Sequence, residues 1–106
     1  MSPTARSLKV LRDAGFTAEV VEKWIPFAKV RKDLWGWCDI IALDPHTCEV
    51  IAVQTTTKSN MAARATKIRE SDITPLVRRC RIKIHVHGWY KSGNKWLHKL
   101  ADLTKP

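Results

Sequence analysis

The chain has 106 residues, of which 44% are hydrophobic, and a formal net charge of +9. This length suits one domain with a single modest core. No apolar run approaches the roughly 20 residues that a membrane-spanning helix needs, and residues 1–13 lack the apolar centre of a signal peptide. We therefore expect a cytoplasmic protein without a membrane partner, whose one domain spans residues 1–106.

The basic charge lies in the second half of the chain. Residues 1–57 hold equal numbers of basic and acidic side chains, so residues 58–106 carry the whole excess. Such asymmetry attracts a polyanion, and nucleic acid is the usual one. The alternative is a solvated basic surface that only aids solubility. Three cysteines without a C-x-x-C pair favour neither a disulfide scaffold nor a zinc site, and we expect them to be small buried hydrophobes.

The first third of the chain predicts a helix, a strand and a loop. Residues 3–14 form an amphipathic pattern that Gly15 ends, and residues 16–24 are rich in β-branched side chains, with Pro26 after them. Residues 28–37 interleave basic and aromatic side chains, which suits contacts to phosphates and stacked bases. Packing of the two tryptophans at the core edge is the alternative. These side chains are Lys29, Arg31, Lys32, Trp35 and Trp37.

A hairpin follows, and it contains the most unusual polar pattern in the chain. Residues 38–43 and 49–56 are short apolar runs joined by Asp44-Pro45-His46-Thr47, which predicts two paired strands. If Asp44 pairs with Glu49, then Asp39 lies opposite Gln54. Alternation along the strands then places a carboxylate, an amide and a hydroxyl on one otherwise apolar face. That face comprises Asp39, Ile41, Leu43, Val50, Ala52, Gln54 and Thr56.

The second half predicts a helix and two more strands. Residues 61–70 form a helix that Ser59 or Asn60 can cap. Residues 71–79 are a connector with room for a short helical turn, and residues 81–90 alternate as a strand. A turn at Ser92-Gly93 leads into the last strand, residues 95–101. In this register Trp89 would face Trp96 and His87 would face His98.

Three histidines of this last hairpin share one predicted face. His85, His87 and His98 could form a zinc triad. Arg81 and Lys83 on the same face would repel a cation, which favours half-exposed histidines that contact phosphate or water instead.

The element order is helix, three strands, helix and two strands. This order predicts an α/β fold with a mixed β-sheet and flanking helices. Over roughly residues 3–90 it resembles the PD-(D/E)XK nuclease superfamily, because a G-x-x-D lies at the second strand (Gly36 to Asp39) and a Q-x-T ends the third (Gln54 to Thr56). It is most similar to small phage-type and Holliday-junction-resolvase-like members.

The resemblance implies a restriction-endonuclease-like fold, an αβββαβ core with a further C-terminal strand. It also implies a homodimeric endonuclease that cuts DNA, branched DNA included, in a bacterial or phage-infected cell. Asp39, Gln54 and the carbonyl of Thr55 would bind Mg²⁺ or Mn²⁺. Thr56 occupies the position of the family's lysine and would line the site. The cation would then come from Lys58, or from Lys67 or Arg64 on the following helix.

A second carboxylate would strengthen this metal site. Asp33 is favoured slightly over Glu22 because it closely precedes Asp39. The alternative for Asp39 and Gln54 is a buried hydrogen bond that only fixes the register, and the alternative for the whole chain is a catalytically degenerate nucleic-acid-binding domain on the same fold. The side chains expected to contact DNA are Arg31, Lys32, Trp35, Arg64, Arg78, Arg79 and Arg81.

Overall fold

A five-stranded sheet lies between helices in the computed structural model, which describes residues 1–106. A 3₁₀ turn at Lys58–Asn60 joins the central strand to the second helix. The elements in chain order are α1 (Pro3–Asp13), β1 (Thr17–Val20), β2 (Lys23–Ile25), β3 (Val30–Lys32), β4 (Ile40–Leu43), β5 (Val50–Thr57), α2 (Met61–Glu70), α3 (Thr74–Arg79), β6 (Lys83–Ser92) and β7 (Lys95–Asp102).

The sheet has the strand order β1-β4-β5-β6-β7 and mixed direction. Strands β5 and β6 are parallel, and α2 and α3 form the crossover between them, whereas every other neighbouring pair is antiparallel. Strands β2 and β3 form a separate two-stranded ribbon. The predicted α/β class, with a mixed sheet and flanking helices, is confirmed. None of the helices has both the length and the apolar character that crossing a membrane requires.

The register of the β4–β5 hairpin is the predicted one. Leu43 lies opposite Val50, and the backbone N–H of Asp44 donates to the carbonyl of Glu49 at 2.9 Å. The Asp44 carboxylate accepts the backbone N–H of His46, which fixes the turn. Since the pairing continues to the start of β4, Asp39 and Gln54 become neighbours.

The register of the β6–β7 hairpin differs from the prediction by two residues. Ser92 pairs with Lys95, so the turn residues are Gly93 and Asn94. Gly93 has a φ of +60°, a backbone angle that glycine adopts without steric cost. The predicted Trp89–Trp96 and His87–His98 pairs are therefore wrong; the observed pairs are Trp89 with His98, His87 with Leu100, and Lys91 with Trp96.

The two faces of the sheet carry separate apolar cores. Alternate side chains of β1, β4 and β5 pack under α1, in a cluster of Leu11, Ala18, Ile40, Ala42, Ile51 and Val53. The opposite face packs under α2 and α3, in a cluster of Trp37, Cys38, Ala52, Ala65, Ile68, Val77, Ile84, Val86 and Leu103. Gly88 allows α2 to approach β6 closely, because a Cβ there would collide with the side chain of Met61.

Three local features differ from the sequence-based expectations. The strand predicted over residues 16–24 is divided, because β1 ends at Val20 and β2 pairs only with β3. The predicted loop contains β3 and a tight turn in which Leu34 bridges to Cys38. Among the cysteines only Cys38 is buried, while Cys48 and Cys80 are exposed.

Candidate metal centre

A polar cleft of about 330 Å³ lies where α1 begins, β5 ends and α2 passes over the sheet. Gln54 and Thr56 lie two and four residues after Ala52, a residue of the α2-side core. All three side chains therefore point to the α2 face of the sheet. No apolar side chain lines the cleft. Its walls are Ser2, Pro3, Thr4, Glu22, Arg31, Asp33, Asp39, Gln54, Thr55, Thr56, Thr57 and Arg64.

Asp39 is the most strongly held side chain of the cleft. It is 3% exposed, and its Oδ2 accepts three hydrogen bonds. The donors are the Gln54 amide Nε2 at 2.8 Å, the Thr55 backbone N–H at 2.8 Å and the Thr55 hydroxyl at 3.1 Å. The Thr55 hydroxyl also bonds that of Thr4 at 2.7 Å, which ties the first turn of α1 to the site. These bonds fix the orientation of the Asp39 carboxylate.

Two further carboxylates come close to Asp39. Oxygens of Glu22, Asp33 and Asp39 all lie within 4.8 Å of one another. This is the one group of three or more histidine, cysteine or acidic side chains in the protein with such spacing. The fold thus brings both candidates for the second carboxylate, Asp33 and Glu22, close to Asp39. Glu22 also accepts from Arg31 at 2.7 Å.

The environment of Asp39 disfavours its negative charge. Its pKa is raised to about 7, chiefly by burial and also by the nearby Asp33 and Glu22 carboxylates, against the opposing effect of the Thr55 N–H. A cation among the three carboxylates would remove this repulsion. Among the three carboxylates only Glu22 forms an ion pair within the protein, with Arg31.

Gln54 has an amide oxygen without a partner. Its Nε2 donates to Asp39 and, at 3.1 Å, to the Thr55 carbonyl, while its Oε1 is buried and unbonded. A buried acceptor without a donor costs roughly 1 to 3 kcal/mol.

The cations of the cleft are arginines. Arg64 on α2 and Arg31 on β3 line it. The strand gives way to the 3₁₀ turn after Thr57, and the Lys58 ammonium lies 4.6 Å from the centre of the Tyr90 ring. Lys67 lines a second cleft instead. The structure therefore brings Arg64 to the cleft and leaves both candidate lysines outside it, while Thr56 lies in its wall as expected.

The remaining residues expected to contact nucleic acid are dispersed. Arg78 donates from Nε and Nη2 to the carbonyl of Leu103, so it holds the end of the chain against α3. Arg79 and Arg81 are exposed at the end of α3, and Lys32 is exposed on β3. Trp35 lines the second cleft with Lys67.

The three histidines lie together on the α1 side but are engaged with protein groups. His87 is 2% exposed and its Nδ1 lies 3.0 Å from the Ser7 hydroxyl, which also accepts from the Trp89 indole at 2.8 Å. The rings of His87 and His98 are 4.9 Å apart. The pKa of His87 is lowered to about 4, chiefly by burial and also by His98 and His85. Burial also lowers the pKa values of His85 and His98.

Sequence reasoning missed the contribution of α1. Thr4 and its neighbours enter the cleft because α1 crosses the sheet above the end of β5. No spacing within residues 2–4 indicates this, since it depends on tertiary packing. The pairing of Glu22 with Arg31 was also missed; it arises because β2 and β3 form a ribbon.

Comparisons with protein-family models, with curated proteins and with solved structures returned no match.

Proposed function

We propose that the protein is a metal-dependent nuclease that hydrolyses phosphodiester bonds of DNA at the acidic cleft. The observation that carries this proposal is the close group of three carboxylates beside a buried amide whose oxygen has no partner. Mg²⁺ and Mn²⁺ prefer oxygen ligands of this kind. Asp39, Asp33, Glu22, Gln54 and the Thr55 carbonyl are the groups that would hold the ion.

The spacing of the donor atoms fits such an ion. The Gln54 Nε2 lies 2.8 Å from Asp39 Oδ2 and 3.1 Å from the Thr55 carbonyl oxygen. Adjacent oxygens around octahedral Mg²⁺ are about 2.9 Å apart, given a metal–oxygen distance of about 2.1 Å. A half-turn of the amide would exchange Nε2 for Oε1, so that three oxygens would take these positions. It would also give the orphaned oxygen a partner.

The side chains of the cleft have distinct roles in this proposal. When bound, the ion would polarise the phosphate and lower the pKa of a bound water. Arg64 supplies positive charge beside the phosphate oxygens, in the role that a lysine has in the family the sequence resembles. Arg31 holds Glu22 in place through its 2.7 Å ion pair. Thr55 and Thr4 orient Asp39 through their linked hydroxyls.

The substrate and assembly are part of the same proposal. The net charge of +9 favours a polyanion, and contacts from arginine and lysine to phosphates read charge and shape instead of base sequence. Branched DNA therefore suits the protein. The resemblance to Holliday-junction-resolvase-like nucleases favours a restriction-endonuclease-like fold and a homodimer that cuts two strands.

The test is cleavage of linear and branched DNA in Mg²⁺ or Mn²⁺. We expect Asp39→Ala to reduce the rate about a thousandfold, because a metal-bound phosphate is worth several kcal/mol of barrier. Asp72→Ala removes an equal charge from an exposed site outside the cleft and should leave the rate within twofold. Equal rates for wild type and Asp39→Ala would remove the site assignment.

A second candidate is a non-catalytic DNA-binding domain. The cleft has no lysine, and one of its two arginines is already paired with Glu22, which favours this alternative. It predicts DNA binding that weakens steeply as salt rises, with no cleavage in any divalent metal. Detectable metal-dependent cleavage that Asp39→Ala abolishes would exclude it.

A further inference from the structure

We propose that a second cleft, on the other flank of α2, holds an unpaired nucleobase of the DNA that the acidic cleft cuts. The inference rests on the proposed function, because it assumes a nucleic-acid substrate. It adds a substrate class: DNA with an unpaired or extruded base next to the bond that is cut.

The second cleft has about 450 Å³ and is built from two elements. One is the tight turn after β3, and the other is the outer flank of α2. This volume is in the range of pockets that hold small ligands. Its walls are Trp35, Gly36, Trp37, Ala63, Thr66, Lys67, Glu70 and Ser71.

Two indole rings form the aromatic side of this cleft. Trp35 is half-buried and Trp37 is 1% exposed, and their ring centres are 5.8 Å apart. Trp35 has a φ of +59°, a strained angle for a bulky residue, and Gly36 follows with a φ of +81°. The turn thus holds Trp35 against the second cleft at an energetic cost. A base stacked on an aromatic ring gains affinity whatever its sequence.

The polar groups of the cleft match a base better than a phosphate. The Trp37 indole Nε1 is buried and has no hydrogen-bond partner, and such donors are rare unless a ligand or water satisfies them. Lys67 and Glu70 line the same cleft, and neither forms an ion pair within the protein. Glu70 would repel a phosphate but can accept from the amino or imino group of a base. Lys67 can donate to its carbonyl oxygens or ring nitrogens.

The two clefts adjoin because the segment that follows β3 and the helix α2 contribute residues to both. Asp33 lines the acidic cleft and Trp35 the second one, and two residues span at most about 7 Å. On α2, Arg64 faces the acidic cleft, while Ala63 and Lys67 face the second. A phosphate beside Arg64 and a base beside Trp35 can therefore belong to neighbouring positions of one strand. A fully paired duplex offers no such base.

The experiment compares two short duplexes in EDTA, which prevents cleavage. One is fully paired, and the other has a single unpaired 2-aminopurine whose fluorescence reports stacking. We expect wild type to bind the second duplex about tenfold more tightly and to quench its fluorescence. Trp35→Ala should abolish both the preference for the unpaired duplex and the quenching. Trp35→Phe, which keeps an aromatic ring, should retain most of the preference.

Trp96→Ala is the matched control, since Trp96 is 44% exposed on β7 and lines neither cleft. It should bind both duplexes as wild type does. Lys67→Ala is a second test variant, which leaves both tryptophans in place and should weaken the preference for the duplex with the unpaired base. Equal affinity of wild type for both duplexes, or equal loss in Trp35→Ala and Trp96→Ala, would overturn the base site and leave the nuclease proposal standing. Failure to bind either duplex would overturn the base site, while the nuclease proposal is decided separately by the cleavage assay in Mg²⁺ or Mn²⁺.

Discussion

Two groups of buried polar side chains lie near the start of α1, and they differ in how the protein satisfies them. In the histidine group, the Ser7 hydroxyl bonds both His87 and Trp89, and the rings of His87 and His98 pack together. In the acidic group, three carboxylates repel one another and an amide oxygen has no donor. Histidines were plausible zinc ligands from the sequence alone. This difference favours the acidic group as the proposed metal site, because a cation would offset the repulsion among its carboxylates and could take the unpaired amide oxygen as a ligand.

The largest expected effect follows from the opposite pKa shifts of the two groups. Asp39 has a raised pKa of about 7, so its contribution to the stability of the metal-free protein is present below pH 4 and is lost as pH rises through 7. His87 has a lowered pKa of about 4, so its contribution is present above pH 6.5 and is lost as pH falls towards 4. Between pH 4 and 6.5, a rise in pH lowers the free energy of unfolding through Asp39 and raises it through His87, so the two pH dependences oppose each other.

Single variants separate these slopes. As pH rises from 4 to 6.5, the unfolding free energy of Asp39→Asn should increase by up to about 3 kcal/mol relative to that of wild type. The unfolding free energy of His87→Gln should decrease by a similar amount relative to wild type over the same range. Urea unfolding in EDTA at several pH values measures both. Parallel pH profiles for wild type and the two variants would contradict the assigned environments.

A smaller effect tests whether the histidine group is structural. Ser7→Ala would leave the Trp89 indole N–H and the His87 Nδ1 without their partner inside the protein. We expect it to lower the free energy of unfolding by about 2 kcal/mol, because buried polar groups without partners are costly. Ser92→Ala, at an exposed strand end, is the control and should change stability by less than about 0.5 kcal/mol. A neutral Ser7→Ala would show that water replaces the hydroxyl at no cost.

The sequence predicted the acidic group better than its cation. The Asp44-Pro45 turn fixes the hairpin register, so the proximity of Asp39 and Gln54 could be predicted from local rules. The position of Lys58 could not, because the 3₁₀ turn that redirects it towards Tyr90 depends on how α2 packs on β6. For a similar reason the sequence did not decide whether Asp33 or Glu22 provides the second carboxylate. Glu22 reaches the cleft only because the chain breaks between β1 and β2.

The second hairpin shows the limits of turn chemistry. Ser92-Gly93 and Gly93-Asn94 are both acceptable two-residue turns, and the choice shifts the register by two residues. Such a shift preserves the face of each side chain, so His85, His87 and His98 stay together although their cross-strand partners change. The burial of His87 beneath α1 could not be predicted from alternation, whereas His85 and His98 are half-exposed as expected.

The smallest effects distinguish the cations of the cleft. If the nuclease proposal holds, Arg64→Ala should slow cleavage about tenfold, since it removes the unpaired positive charge of the acidic cleft. Lys58→Ala should change the rate by less than about twofold, because that ammonium lies over Tyr90. Both variants remove one exposed or half-exposed cation, so non-specific loss of DNA affinity affects them alike. A larger loss of cleavage rate with Lys58→Ala than with Arg64→Ala would assign the role of the cation to Lys58.

Mn²⁺ titration followed by electron paramagnetic resonance would show whether the acidic group binds a divalent cation. Wild type and His87→Gln should bind one Mn²⁺ per chain with equal affinity. Asp39→Asn, which keeps the shape of the side chain, should bind at least about tenfold more weakly. Equal Mn²⁺ binding by wild type and Asp39→Asn, or loss of binding only in His87→Gln, would contradict cation binding by the acidic group.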